Sequence, residues 1–133
     1  MAMQDIVHST AVERDDDANK WEAQLRKGCL EMAVLMALCA GRSYGLGVLR
    51  VLESDSNLVL SEGTIYPILN RLRQEGMVTS EWVEAEAGHS RRYYSLTRKG
   101  RERAVRMARI WLDFAAGLNR LAQPLVQEKE ESA

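Results

Sequence analysis

The chain has 133 residues, 46% hydrophobic and 28% charged, the profile of one soluble globular domain with a single core. Its longest apolar stretch, Cys29 to Ala40, is interrupted by Glu31 and is too short to cross a bilayer. No basic-then-apolar signal segment opens the chain, so a cytoplasmic protein that does not enter a membrane is expected. The net charge of −1 hides an uneven distribution: residues 1–17 carry −4 and residues 128–133 carry −2, which leaves +5 on residues 18–127.

Residues 1–18 are polar, acidic and aperiodic, and are expected to form a disordered leader. From Asn19 to Ala40, apolar residues at helical spacing (Trp21, Leu25, Cys29, Met32, Met36) predict a first helix, largely buried after Leu30. Cys29 and Cys39 lie about 15 Å apart along such a helix, too far for a disulfide. They read as small buried hydrophobes in a reducing compartment, with redox sensing as the other reading. Ser43 is placed to cap a second helix, Tyr44 to Glu53, with Leu46, Leu49 and Leu52 inward. Gly45 and Gly47 each weaken that helix by about 1 kcal/mol relative to Ala, so packing must hold it.

Asp55-Ser56-Asn57 reads as a turn. Ser61 then caps a third helix whose apolar face is Ile65, Ile68, Leu69 and Leu72, and Gly76 ends it. Thr64, Tyr66, Pro67, Asn70, Arg71 and Gln74 are left outward; Pro67 lies past the first turn and should bend or tighten the helix. Val78–Glu84 and Arg92–Leu96 have strand character, joined by a loop from Ala85 to Ser90 that contains Gly88. Thr97 starts a last, long helix that is expected to stop at Gln123, before Pro124. The expected organisation is therefore a leader (1–18), a winged helix-turn-helix domain (19–97), a C-terminal dimerisation helix (98–123) and a flexible acidic tail (124–133). The fold class is mainly α with a small β-hairpin.

In the last helix, Ala104, Met107, Trp111, Phe114, Leu118 and Leu121 recur at spacings of 3, 4, 3, 4 and 3, a heptad seam. One small winged domain has no core to cover it together with the apolar start of the first helix. A homodimer is expected, with Leu25, Met107, Trp111, Phe114, Leu118 and Leu121 at its interface.

Residues 91–109 carry eight cations (Arg91, Arg92, Arg98, Lys99, Arg101, Arg103, Arg106, Arg109) against Glu102, a local excess of +7 suited to a polyanion. On the third helix, Ser61, Thr64, Tyr66, Asn70 and Arg71 can bond phosphates and base edges of double-stranded DNA; Asn suits adenine and Arg suits guanine. Arg91 and Arg92, just after the hairpin tip, can contact the backbone or a narrow minor groove. An enzyme is not expected: His8 and His89 stand apart, and there is no metal-ligand spacing or activated nucleophile. No cofactor or metal is implied.

Residues 20–121 resemble the PadR family of transcriptional regulators. The resemblance rests on Leu25-Arg26-Lys27-Gly28, Tyr44-Gly45, the run Ser61-Glu62-Gly63-Thr64-Ile65-Tyr66-Pro67-Ile68-Leu69-Asn70-Arg71-Leu72, Glu75-Gly76-Met77-Val78, Trp82, and Arg92-Tyr93-Tyr94-Ser95-Leu96-Thr97-Arg98-Lys99-Gly100. With 33 residues after Gly100, it is similar to the short subfamily with one C-terminal helix. Two features depart from the pattern: the acidic leader is long, and Gly47 stands where the family has a larger residue. The resemblance implies a repressor that binds a palindromic operator as a homodimer and is released by a signal. Some short members bind flat aromatic compounds through a Trp at the place of Trp111, so a small aromatic effector is one reading of Trp111; an anchor on the seam is the other. A competing function is a protein-interaction module that has lost DNA binding, its acidic leader folded on the basic surface.

Overall fold

The computed structural model describes residues 2–56, 58–84 and 88–131, with side chains placed within residues 16–128. Helix α1 spans Ala2–Leu38, strand β1 Ser43–Tyr44, α2 Gly45–Ser56, α3 Glu62–Gln74, β2 Val78–Glu84, β3 Ser90–Leu96 and α4 Arg98–Glu131. The mainly helical winged architecture with a long C-terminal helix is the one the sequence predicts.

Both long helices overrun their expected ends. The segment expected to be a disordered leader is helical from Ala2. No Gly or Pro falls between residues 2 and 27, and Ala, Met, Gln, Glu and Arg favour the helix intrinsically. Helix α4 likewise runs through Pro124 to Glu131, where the sequence predicts a stop at Gln123 and a flexible tail. This end of α4 is exposed, so the one carbonyl that loses its partner to the proline can turn to water.

The sheet has three antiparallel strands in the order β1-β3-β2, where the sequence predicts only a two-stranded hairpin. Ser43 and Tyr44 pair with Tyr94 and Tyr93. Ser43 therefore does not cap α2; its hydroxyl donates to the Tyr44 carbonyl at 3.3 Å. A two-residue strand has no alternation to detect, and its partner creates it. The pairing also sets the rotation of α2, which buries Gly45, Val48 and Leu52 and leaves Leu49 half-buried and Leu46 exposed, unlike the expected Leu46-Leu49-Leu52 face. Gly47 has a local cause as well: a Cβ there would collide with the Ser43 hydroxyl.

The core gathers Ala33, Val34, Leu35 and Leu38 of α1, Val48 and Leu52 of α2, and Ile65, Ile68, Leu69 and Leu72 of α3. Met77, Val78, Tyr94 and Ala104 close it. Cys29 and Cys39 are both free and half-buried. Helix α3 ends in a Schellman motif: Gly76 N–H donates to the Arg73 carbonyl and Met77 N–H to the Leu72 carbonyl, with Gly76 at φ 78°.

Helix α4 starts directly on that turn. Thr97 N–H donates to the Met77 carbonyl at 3.0 Å, and the Thr97 hydroxyl donates to the Gly76 carbonyl at 2.6 Å. The same hydroxyl accepts the N–H of Gly100 at 3.0 Å, as a helix N-cap does. Gly100 lies so close to the Met77 carbonyl that a Cβ would overlap it. Gly100→Ala gains about 1 kcal/mol in helix propensity but must push two backbone segments apart, at a cost of about 1–3 kcal/mol or more. Net destabilisation is expected in urea unfolding; a variant as stable as the wild type would show that the turn can yield.

Candidate nucleic-acid interface

Helix α3 buries Ile65, Ile68, Leu69 and Leu72, and that row leaves the opposite side to solvent. At 3.6 residues per turn the crest opposite the buried row holds Gly63, Pro67, Asn70 and Gln74. Tyr66, Asn70 and Arg73 form a stripe at spacings of four and three along one flank, and Thr64 and Arg71 share the other. Tyr66, Asn70 and Arg71 are exposed and Thr64 is half-buried.

Local bonds prepare these side chains. Ser61 occupies the N-cap position, its carbonyl accepting from Thr64 and Ile65 N–H. Its hydroxyl does not cap the helix as the sequence predicts; it pairs with the Thr64 hydroxyl at 3.1 Å, which reaches it first. The Asn70 carbonyl oxygen accepts from Arg73 Nη2 at 2.9 Å, so the Asn70 amide is left to donate and Arg73 is held over the stripe. Arg73 was not among the residues the sequence singled out, although its spacing from Tyr66 and Asn70 was the available signal. Tyr66 lies against Gly45, whose added Cβ would sit 2.7 Å from the phenol. Burial, and secondarily Glu62 and Tyr94, raise the Tyr66 pKa above its ordinary value.

The two wing arginines lie on opposite faces of the sheet. The sequence places Arg91 and Arg92 beside a hairpin tip, but β3 begins at Ser90, so they are paired strand residues opposite Val83 and Trp82. Strand side chains alternate, and the two therefore point to opposite faces of the sheet. Arg92 shares the inner face with Tyr94; its Nε donates to the Ser80 hydroxyl at 3.0 Å, and it lies 5.9 Å from the exposed Trp82 ring and 5.7 Å from Tyr94. Arg91 is on the outer face, 4.5 Å over the Tyr44 ring. Glu81, also on that face, pairs with Arg42.

The excess of +7 in residues 91–109 is likewise not one patch. Arg98 pairs with Glu102, Lys99 donates to the Glu75 carbonyl, and Arg101 donates to the Cys39 carbonyl. Arg103 bridges Glu31 of α1 and Glu75 at the end of α3, at 3.1 and 3.2 Å. Much of this charge clamps α4 to the domain.

The seam of α4 divides. Ala104 is buried and Met107 packs on the core, so its first two positions are covered within the chain, against the expectation that the whole seam is bare. Phe114, Leu118 and Leu121 are exposed, at 61%, 48% and 72%. Between them, Trp111 faces a groove of about 600 Å³ with Trp21, Leu25, Cys29, Met32 and Met36 of α1 and Val51 of α2. Among the described residues no three His, Cys, Asp or Glu side chains group as a metal site, and no helix is long and apolar enough to cross a membrane.

The family model for PadR-like transcriptional regulators matches residues 34–106. A PadR-like transcriptional regulator from Bacillus cereus is 30% identical, with 75% of this chain and 97% of that one covered at a TM-score of 0.68. A PadR family regulator from Eggerthella lenta is 28% identical, with coverage of 84% and 96% and a TM-score of 0.72. PadR of Bacillus subtilis, solved in complex with operator DNA, shares the fold at 22% identity and a TM-score of 0.56, covering 59% of this chain and 45% of that one. No curated protein matches the chain.

The Arg103 bridge can be tested directly. All three side chains are partly exposed, so solvent screens them and Arg103→Met is expected to cost only about 1 kcal/mol in urea unfolding. The loss should shrink at high salt. A loss indifferent to salt would mean that the arginine acts by packing rather than by charge.

Proposed function

Because the chain belongs to the PadR-like family of transcriptional regulators, we propose that it represses transcription by binding a palindromic operator as a homodimer. The role is one of binding, not catalysis, and its place is the cytoplasm, where the DNA is. The observation that carries the reading is the polar side of α3, with Tyr66, Asn70 and Arg71 standing outward from a helix locked at its end and buried along its other side. A rigid helix with donors and acceptors on its free face is what major-groove readout needs. Ser61 and Thr64 lie at its start, suited to phosphate contacts, and Arg92 and Arg91 of the wing add cations on the two faces of the sheet. The same fold has been solved on operator DNA in the Bacillus subtilis protein.

Dimerisation goes through α4. Phe114, Leu118 and Leu121 expose an apolar stripe for a second copy, continuous with the groove of Leu25 and Trp111. A dyad along this arm would set the two α3 helices against two half-sites of one operator. The groove also has the size of a ligand pocket. Its tryptophans, Trp21 and Trp111, suit a small aromatic effector whose binding would alter the spacing of the two halves and release the operator.

Selection of bound duplexes from a random pool, followed by binding measurements on the selected site, tests the reading; recovery of a two-fold symmetric site is expected. Asn70→Ala and Arg71→Ala should each cost about 1–3 kcal/mol on that site and relax preference at one position per half-site. Equal losses on selected and random DNA would show that α3 positions the domain without reading bases. Leu118→Glu should yield monomers in sedimentation; a well-folded dimer would remove α4 from the interface.

A further inference from the structure

The outer surface of the sheet carries an aromatic and cationic cluster whose two halves differ in charge balance. Tyr44 and Tyr93 meet edge to face with ring centroids 5.5 Å apart. Arg42 lies 5.1 Å over Tyr93 and also pairs with Glu81, so its charge is compensated. Arg91 lies 4.5 Å over Tyr44, and Arg50 of α2 donates through Nη1 to the Tyr44 hydroxyl at 3.3 Å. Neither Arg50 nor Arg91 has a carboxylate within ion-pair distance among the described residues. Two uncompensated guanidinium groups therefore converge on one phenol.

The donor inventory of this cluster is one-sided. The Tyr44 oxygen accepts from Arg50, which leaves its own hydrogen to donate, and each guanidinium keeps further N–H groups unused. Stacking on the ring holds Arg91 in place, so little side-chain freedom remains to be lost on binding. Several donors, two positive charges and no carboxylate among the described residues match a phosphate oxyanion. The location also fits. Tyr44 directly precedes Gly45, on which Tyr66 of α3 packs, so the cluster borders the helix that faces the groove.

We propose that Tyr44, Arg50 and Arg91 form a phosphate site that grips the DNA backbone at the edge of the groove occupied by α3. It rests on the DNA-binding reading above. It joins a residue of the wing to the start of α2, and it gives Arg91 a role separate from that of Arg92. Arg50 is the one cation of α2, which was the sequence signal available for it.

The test is the salt dependence of binding of the full chain to a random-sequence duplex. One phosphate contact contributes about 0.9 to the slope of log affinity against log salt, so Arg50→Gln/Arg91→Gln should flatten it by roughly 2 per dimer. The two single variants should each lose part of this, because both arginines serve one phosphate. Tyr44→Phe should weaken binding and leave the slope unchanged, and Arg42→Gln, whose charge Glu81 already compensates, should also leave the slope unchanged. A double variant with the wild-type slope, or an Arg42→Gln variant that flattens it equally, overturns the site while DNA binding stands. A wild-type protein that binds neither the random nor a selected duplex overturns the DNA-binding reading and this site with it.

Discussion

The close approach of α4 to the end of α3 is the constraint on which the rest of the molecule hangs. Gly100 meets the Met77 carbonyl, Thr97 donates to Gly76 and Met77, and Gly76 closes the Schellman turn of α3. The helix with the exposed polar face and the helix with the exposed apolar stripe thereby meet directly in space, although the β2–β3 hairpin separates them along the chain. Lys99 and Arg103 add charged contacts to Glu75 from the same side. Because backbone atoms make most of this joint, it has little play, and a tilt of α4 must be passed on to α3. In the dimer we propose, that rigidity would couple the spacing of the two α3 helices to whatever occupies the groove beside Trp111.

Charge is divided by use. Arg42 and Arg103 have carboxylate partners on other elements and Arg101 caps a carbonyl at the end of α1, and these hold elements together, whereas Arg98 pairs with Glu102 within α4. Among the described residues, Arg50 bonds and Arg91 stacks on the Tyr44 side chain, and Arg73 donates to the Asn70 side-chain oxygen, with no carboxylate partner. Counting cations along the chain merges these groups, although Arg42, Arg98 and Arg103 are compensated by carboxylates and, among the described residues, Arg50, Arg73 and Arg91 are not. The −1 of the whole chain says little about either, since the acids that offset it concentrate near the two ends.

Apolar surface follows a similar division. The first turns of α4 turn Ala104 and Met107 into the domain, and from Phe114 onward the same stripe has no cover among the described residues. A patch of this kind on a small protein marks an interaction surface. Its continuity with Trp111 and Leu25 would make the second copy and the small ligand we propose neighbours on one arm.

The sequence by itself determined the elements whose signals are local. The buried row of α3, its end at Gly76, the strand Val78–Glu84, the start of α4 at Thr97 and the seam to Leu121 all follow from periodicity and caps, which neighbours along the chain specify. Only the tertiary structure decided what depends on partners far away in the chain. Strand β1 exists because β3 pairs with it, and it rotates α2 so that Val48, not Leu46, faces inward. The β2–β3 register sends Arg91 and Arg92 to opposite faces, and the α1–α4 contact covers the first part of the seam. The partnering of each arginine was equally invisible, because an ion pair across 72 positions, as between Arg103 and Glu31, leaves no trace in local spacing.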